Sequence, residues 1–274
     1  MERIAILGGD ARMTQLARAL LRDGHEVLIW PADETSGETE LLRAALMPRI
    51  VLPVPLEKDG RLNGTKLDLD SLWGCFQPGQ KLYAGAVSEA ADAAAKAHGL
   101  TLTDYLTREE LAVRNAVPTA EGAVASAMEH LNVTVHGTPC LVIGFGRIGK
   151  LLAHDLQALG AQVSVSARRS SDLAWIDAFG YTPLHTHRLQ GHLSGFRVIF
   201  NTVPHRVMGE ELLRELRPDC VLIELASREG FDASAAKAMN IKYVKASGLP
   251  GRVAPETAAR AIQKTLYQIW EEEK

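Results

Sequence analysis

Val142-Ile-Gly-Phe-Gly-Arg-Ile-Gly149 is the stretch whose reading decides the fold of this chain. Apolar residues 140–143 lead into a G-x-G-x-x-G spacing, and Ile148, Leu151, Leu152 and Leu159 follow at helical intervals. Strand, glycine turn and helix in that order form a dinucleotide-binding fingerprint. Gly144 permits the sharp turn, Gly146 lets the backbone approach a pyrophosphate, and Gly149 lets the helix pack closely on its strand. The diphosphate would lie on the helix start at Arg147, Ile148 and Gly149, where unpaired amides and the helix dipole favour an anion.

The next strand, over 162–166, should end where the nucleotide's ribose lies. An Asp or Glu about 20 residues after the fingerprint holds the ribose 2′-hydroxyl of NAD. Here the chain reads Val165-Ser-Ala-Arg-Arg-Ser-Ser171, with no acid. Arg168, Arg169 and the hydroxyls of Ser170 and Ser171 suit a 2′-phosphate instead, with Ser166 also expected at the cofactor, so NADP is expected in preference to NAD; the alternative is a solvated basic loop before a helix. Further strands are expected over 198–201, 221–225 and 242–246. Ligands of open parallel sheets bind beyond the carboxyl ends of strands. Asn201-Thr-Val-Pro204, Ala226-Ser-Arg228 and Ala246-Ser-Gly-Leu-Pro-Gly-Arg252 therefore converge on the nicotinamide side, with Thr202, Val203 and Pro204 touching the cofactor.

A fingerprint that begins only halfway along 274 residues leaves a long N-terminal segment to form something else. Short apolar runs at 4–7, 27–30, 50–53 and 81–84 alternate with helical patterns at 13–23 and 88–98. This is the sign of a second parallel sheet covered on both faces, flavodoxin-like. Residues 57–79 are polar and carry Asp59-Gly60 and Asn63-Gly64, so they read as an excursion at the domain edge. The expected organisation is α/β with an N-terminal substrate or partner domain over 1–117 and a C-terminal Rossmann domain over 118–255. A connecting helix over 118–130 would start at Pro118, and a final helix over 256–274 would return to the first domain.

Composition narrows the class of function. Lys+Arg 30 against Asp+Glu 33 gives a net charge of -3, which offers no general attraction for nucleic acid or an anionic membrane. Cys75, Cys140 and Cys220 are scattered and form no Cys-x-x-Cys pair, so neither disulfides nor thiolate zinc is expected. His185, His187 and His205 have no acidic neighbour to complete a metal site, and no metal is expected. The apolar run at 4–7 is too short for a signal or a membrane span, so a cytoplasmic protein is expected.

Two segments of the first half carry ligand chemistry. Gly8-Gly-Asp-Ala-Arg12 follows the first strand, so its amides together with Arg12 can take a carboxylate at a helix start; alternatively Asp10 simply caps that helix. Asn115-Ala-Val-Pro-Thr-Ala-Glu-Gly122 should pass near the cleft, bringing Asn115, Thr119 and Glu121 to the substrate; capping would equally explain Thr119 and Glu121.

With these residues assembled, the chain resembles the A-subunit family of bacterial dipicolinate synthase along essentially its full length. The matching motifs are Gly8-Gly-Asp-Ala-Arg12, Pro118-Thr-Ala-Glu-Gly122, His136-Gly137, Leu225-Ala-Ser-Arg228 and Gly248-Leu-Pro-Gly-Arg-Val-Ala-Pro255. The resemblance implies a sporulation enzyme of the mother-cell cytoplasm, on a branch of the lysine pathway. With the flavoprotein-like B-subunit of dipicolinate synthase it would oxidise dihydrodipicolinate, or its hydroxylated tetrahydro precursor, to pyridine-2,6-dicarboxylate and pass hydride to NADP. A homo-oligomer is compatible with it.

The wider architecture is similar to that of D-2-hydroxyacid and alanine dehydrogenases. Arg228 matches the arginine that holds the substrate carboxylate in the hydroxyacid enzymes, but Pro250-Gly251 stands where their catalytic Pro-His pair belongs. That departure argues against alcohol oxidation, which needs a base for the hydroxyl proton. Aromatisation of a dihydropyridine relies more on orientation, so Arg12 and Arg228, aided by Arg252 and Asp10, are expected to hold two carboxylates. Glu121 is the candidate for proton transfer. The alternatives are an NADP-linked hydroxy- or amino-acid dehydrogenase and a non-catalytic nucleotide-binding scaffold.

Overall fold

The computed structural model describes residues 1–31 and 36–274. It divides into two compact units, one of residues 1–115 with 254–274 and one of residues 116–253.

The first unit opens with β1 (Arg3–Leu7), α1 (Ala11–Arg22), β2 (Glu26–Trp30), α2 (Glu38–Ala45) and β3 (Arg49–Val51). A hairpin of β4 (Glu57–Lys58) and β5 (Arg61–Leu62) and the short helix α3 (Leu69–Trp73) follow, then β6 (Lys81–Ala84), α4 (Glu89–Ala97) and β7 (Thr101–Asp104). The five long strands are all parallel in the order β2-β1-β3-β6-β7. Numbered among themselves they run 2-1-3-4-5, the flavodoxin-like order whose switch point lies between the first and third strands. Ile4, Ala5, Ile6 and Leu7 are all buried, as a central strand covered on both faces requires.

The segment over 57–79 departs from the expectation of a polar excursion. Leu62, Leu69, Leu72, Trp73 and Phe76 are buried in one cluster with the sheet, while polar residues between them, such as Lys58, Arg61 and Asp70, face solvent. Asp59 and Gly60 both have positive φ, at 53° and 75°, the geometry of a two-residue hairpin turn.

The helix expected over 118–130 is longer at its start: α5 spans Glu109–His130 and carries Pro118 in its interior. Proline removes one i→i−4 bond and usually breaks a helix. Here Ala116, Ala120, Ala123 and Ala127 bury small side chains along one face, and that packing carries the helix through. The boundary between the two units falls inside it, after Asn115.

The second unit contains β8 (Pro139–Ile143), α6 (Arg147–Ala158), β9 (Gln162–Ala167), α7 (Ser170–Ala178), β10 (Thr182–His185) and β11 (Val198–Asn201). It continues with α8 (Glu210–Leu213), β12 (Val221–Glu224), α9 (Ala233–Ala238), β13 (Lys242–Lys245) and α10 (Leu249–Val253). Its six strands are parallel in the order β10-β9-β8-β11-β12-β13. Numbered among themselves they run 3-2-1-4-5-6, the Rossmann order. Along β8, Cys140 and Val142 face one core while Leu141 and Ile143 face another, so both sides of the sheet are covered. Burial pushes the Cys140 and Cys220 thiols up to about 12, as expected of inert core residues.

The last helix, α11 (Pro255–Glu272), belongs to the first unit, where Ala259, Ile262, Leu266, Ile269 and Trp270 share a core with Ile4, Leu16 and Leu20. Polar contacts fix its far end: Tyr267 Oη donates to Asp23 at 2.7 Å, Tyr83 Oη donates to Glu273 at 2.7 Å, and Arg108 grips Glu272 with two bonds of 2.6 and 2.7 Å. Among the described residues no helix is long and apolar enough to cross a membrane.

Candidate functional site

The turn from β8 into α6 has the geometry that a dinucleotide needs. Gly144 sits at φ +102°, and a Cβ there would strike the Thr202 hydroxyl and approach Val203 Cγ2 to 2.9 Å. A Cβ on Gly149 would run into the Gly144 carbonyl oxygen, so the helix touches its own turn. Gly146 is the N-cap of α6 with no side-chain cap, and open space lies where its Cβ would be. An uncapped helix start behind open space is where backbone amides can meet a diphosphate. Arg147 is exposed and Ile148 half-buried in that first turn, while Leu159, expected on the buried face, is the exposed C-cap.

At the end of β9, Arg168, Arg169 and Ser170 are exposed, and neither arginine forms an ion pair with the described residues. Ser166 lies deeper: it is buried within β9, and its hydroxyl accepts a bond from Thr186 at 3.2 Å. At the end of β11, the Thr202 hydroxyl donates to Ile143 O at 2.9 Å, which ties this loop to the glycine turn. Val203 is half-buried and Pro204 exposed. Arg228 is exposed in the loop after β12, and Arg252 is exposed in α10.

A feature that motif reading missed organises these loops. Glu224 ends β12 only 1% exposed, and Asn201 ends β11 fully buried. Glu224 Oε1 accepts from Asn201 Nδ2 at 2.7 Å and from Ala226 N at 3.2 Å. Its Oε2 accepts from Gly230 N at 2.8 Å and from Phe231 N at 3.2 Å. Asn201 also donates to Val203 O at 2.9 Å and accepts from Val203 N at 3.0 Å. Leaving such buried donors unpaired would cost about 1–3 kcal/mol each. The available signal was an acid closing an otherwise apolar run, Val221-Leu-Ile-Glu224.

In the first unit the turn after β1 differs from the expectation of an amide cradle. Gly8 N donates to Trp30 O and Gly9 N to Asn63 O, both at 2.6 Å, so these amides are already spent. The chain just after β5, at Asn63 and Gly64, packs against this turn, and a Cβ on Gly64 would collide with Gly9. Asp10 is the N-cap of α1, its side chain accepting from Arg12 N at 2.9 Å. Arg12 itself is 14% exposed, bonded through Nε and Nη2 to Asp10 at 2.6 to 3.1 Å and through Nη2 to Val54 O. Its Nη1 has no partner among the described residues. Burial disfavours the charged form of Asp10, but bonds from Arg12 outweigh it and hold the carboxyl below the usual range.

Asn115 and Thr119 are half-buried on α5. Glu121 is exposed, twelve residues into that helix, so it is not the first-turn acid that a start at Pro118 implied. The His185 and His187 rings lie 5.7 Å apart, and among the described residues no group of His, Cys, Asp and Glu is arranged to hold a metal.

Comparison with known proteins agrees with this geometry. Residues 3–106 match the family profile of the N-terminal domain of the dipicolinate synthase A-subunit, and residues 105–244 match that of the D-isomer specific 2-hydroxyacid dehydrogenase NAD binding domain. The dipicolinate synthase A-subunit of Bacillus subtilis (strain 168) is 32% identical over 99% of this chain and 98% of its own length. The chain belongs to the dipicolinate synthase A-subunit family. Crystal structures of other members superpose well: the Bacillus subtilis protein with a TM-score of 0.86, 29% identity and coverage of 99% and 96% of the two chains, and the Bacillus halodurans protein with 0.85, 27%, and 98% and 97%. With its dehydrogenase-type nucleotide domain, this family member is an oxidoreductase that uses a nicotinamide dinucleotide.

Proposed function

We propose that the chain is the nucleotide-binding component of an NADP-linked oxidoreductase that converts dihydrodipicolinate, or its hydroxylated tetrahydro precursor, to dipicolinate together with a B-subunit. The observation that carries this reading is the open, uncapped start of α6 behind Gly146, in a chain of this family. The glycine turn and the amides at Arg147, Ile148 and Gly149 would hold the diphosphate, and the exposed Arg168, Arg169 and Ser170 a 2′-phosphate. Ser166, buried behind them, would support the end of β9. Thr202, Val203 and Pro204 would flank the nicotinamide, which supplies a hydride acceptor when bound.

Oxidation of a dihydropyridine removes a hydride and a proton from the ring and leaves both carboxylates untouched. The protein's task is then to orient a planar dianion. Arg228, exposed and without an internal partner among the described residues, suits one carboxylate, and Arg252 lies exposed in α10 of the same unit. Arg12 would take the other through Nη1, with Asp10 bracing its fork. Asn115 and Thr119 are proposed to contact substrate. Glu121 is proposed for proton transfer, as an exposed side chain with room to move.

The test is to mix purified protein with dihydrodipicolinate and NADP, with and without the B-subunit, and to follow reduced nicotinamide by absorbance. Turnover that Arg228→Ala and Arg12→Ala each abolish, while NADPH binding persists, is expected. Turnover unchanged in both variants would sink the substrate assignment, and NADPH binding without turnover under any condition would favour the scaffold reading.

A further inference from the structure

The buried carboxylate of Glu224 is not part of any ligand contact proposed above, yet two loops hang from it. Gly230 is packed against this network: a Cβ there would strike the Asn201 amide and come within 2.9 Å of His205 O. The Gly230 carbonyl in turn accepts from Val207 N at 2.8 Å and Met208 N at 3.1 Å. Ion pairs of Glu229 with Lys245 at 3.0 Å and of Arg206 with Asp232 at 2.9 Å close the outer edge. Residues 201–208 and 225–231 therefore behave as one hydrogen-bonded piece, with Thr202, Val203 and Pro204 on one limb and Arg228 on the other.

We infer that Glu224 is a positioning residue: through Asn201 and the amides of Gly230 and Phe231 it sets the orientation of the loop that flanks the nicotinamide and of the loop that bears Arg228. The inference rests on the proposed function for what those loops touch, but not for their coupling. Glu224→Gln changes one oxygen to an NH2 group, which must face either the Gly230 and Phe231 amides or the Asn201 amide. Donor then meets donor in the interior. Asn201→Asp added to Glu224→Gln restores the central pair, since a carboxylate at 201 can accept from the new amide and from Val203 N, although it gives up the bond to Val203 O and leaves Ala226 N facing the new amide.

Steady-state kinetics on the full chain should give kcat lowered about 30-fold in Glu224→Gln, with the substrate KM and the NADPH Kd within about threefold of wild type, as expected of misorientation rather than lost binding. The Asn201→Asp/Glu224→Gln variant should recover part of that loss. An independent readout is the rate of tryptic cleavage after Arg228 relative to cleavage after Arg188, which lies outside the network. The ratio should rise about tenfold in Glu224→Gln and fall back in the double variant. Wild-type kcat and an unchanged ratio in Glu224→Gln would overturn the inference, as would a double variant no better than Glu224→Gln. Should the wild-type chain show no turnover at all, the proposed function fails, and the cleavage ratio alone decides for or against the coupling.

Discussion

The chain leaves the first strand of each parallel sheet through a pair of glycines, and the two turns have opposite fates. After β1, the amides of Gly8 and Gly9 are consumed by Trp30 O and Asn63 O, and Gly64 packs directly against Gly9. After β8, α6 begins uncapped at Gly146 with open space before it. Both sheets switch direction at these strands, where open α/β folds bind ligands. What separates them is whether the chain satisfies the helix start itself. A glycine turn becomes a nucleotide site only where its amides are left for a ligand.

The largest effect should come from closing the open turn. Gly149→Ala forces a methyl group against the Gly144 carbonyl, and NADPH affinity should fall about 100-fold, or about 2.8 kcal/mol, by calorimetric titration. Closing the turn that is already closed should do something else. Gly64→Ala, at φ +80° and against Gly9, should lower stability by about 2–4 kcal/mol in urea unfolding while leaving the NADPH Kd unchanged.

Smaller changes sharpen the contrast. Arg168→Ala should weaken NADPH about tenfold and NADH hardly at all, because only the former carries the extra phosphate. In the first unit, the charge on Asp10 is used for structure. Its pKa is depressed in the folded protein, so its contribution is complete above the unfolded value of about 3.9 and is lost as pH falls through the folded value. Asp10→Asn should therefore lower Tm modestly at pH 7, and its gap to wild type should close below about pH 4 in thermal scans.

The same contrast explains what could be read from sequence. The fingerprint at 144–149 gives strand, turn and helix from local spacing, and the alternating apolar runs give both parallel sheets. Pro118 suggested a helix start because local preference points that way, whereas buried alanines at 116, 120, 123 and 127 carry α5 across it. The hairpin over 57–62 looked like a polar excursion because its turns are polar, while Leu62 between them is buried. That Asn63 fills the first glycine turn, and that Glu224 gathers amides from a loop six and seven residues onward, depends on tertiary placement. For Glu224 the only local sign is an acid closing an apolar run, which does not say which amides it will meet.

The most direct test is a calorimetric titration of NADPH into wild type, Gly64→Ala and Gly149→Ala. One site per chain with like affinity in the first two, and affinity about 100-fold weaker in the third, is the expected result. Affinity unchanged in Gly149→Ala, or lost in Gly64→Ala, would mean that the nucleotide does not sit at the open turn after β8.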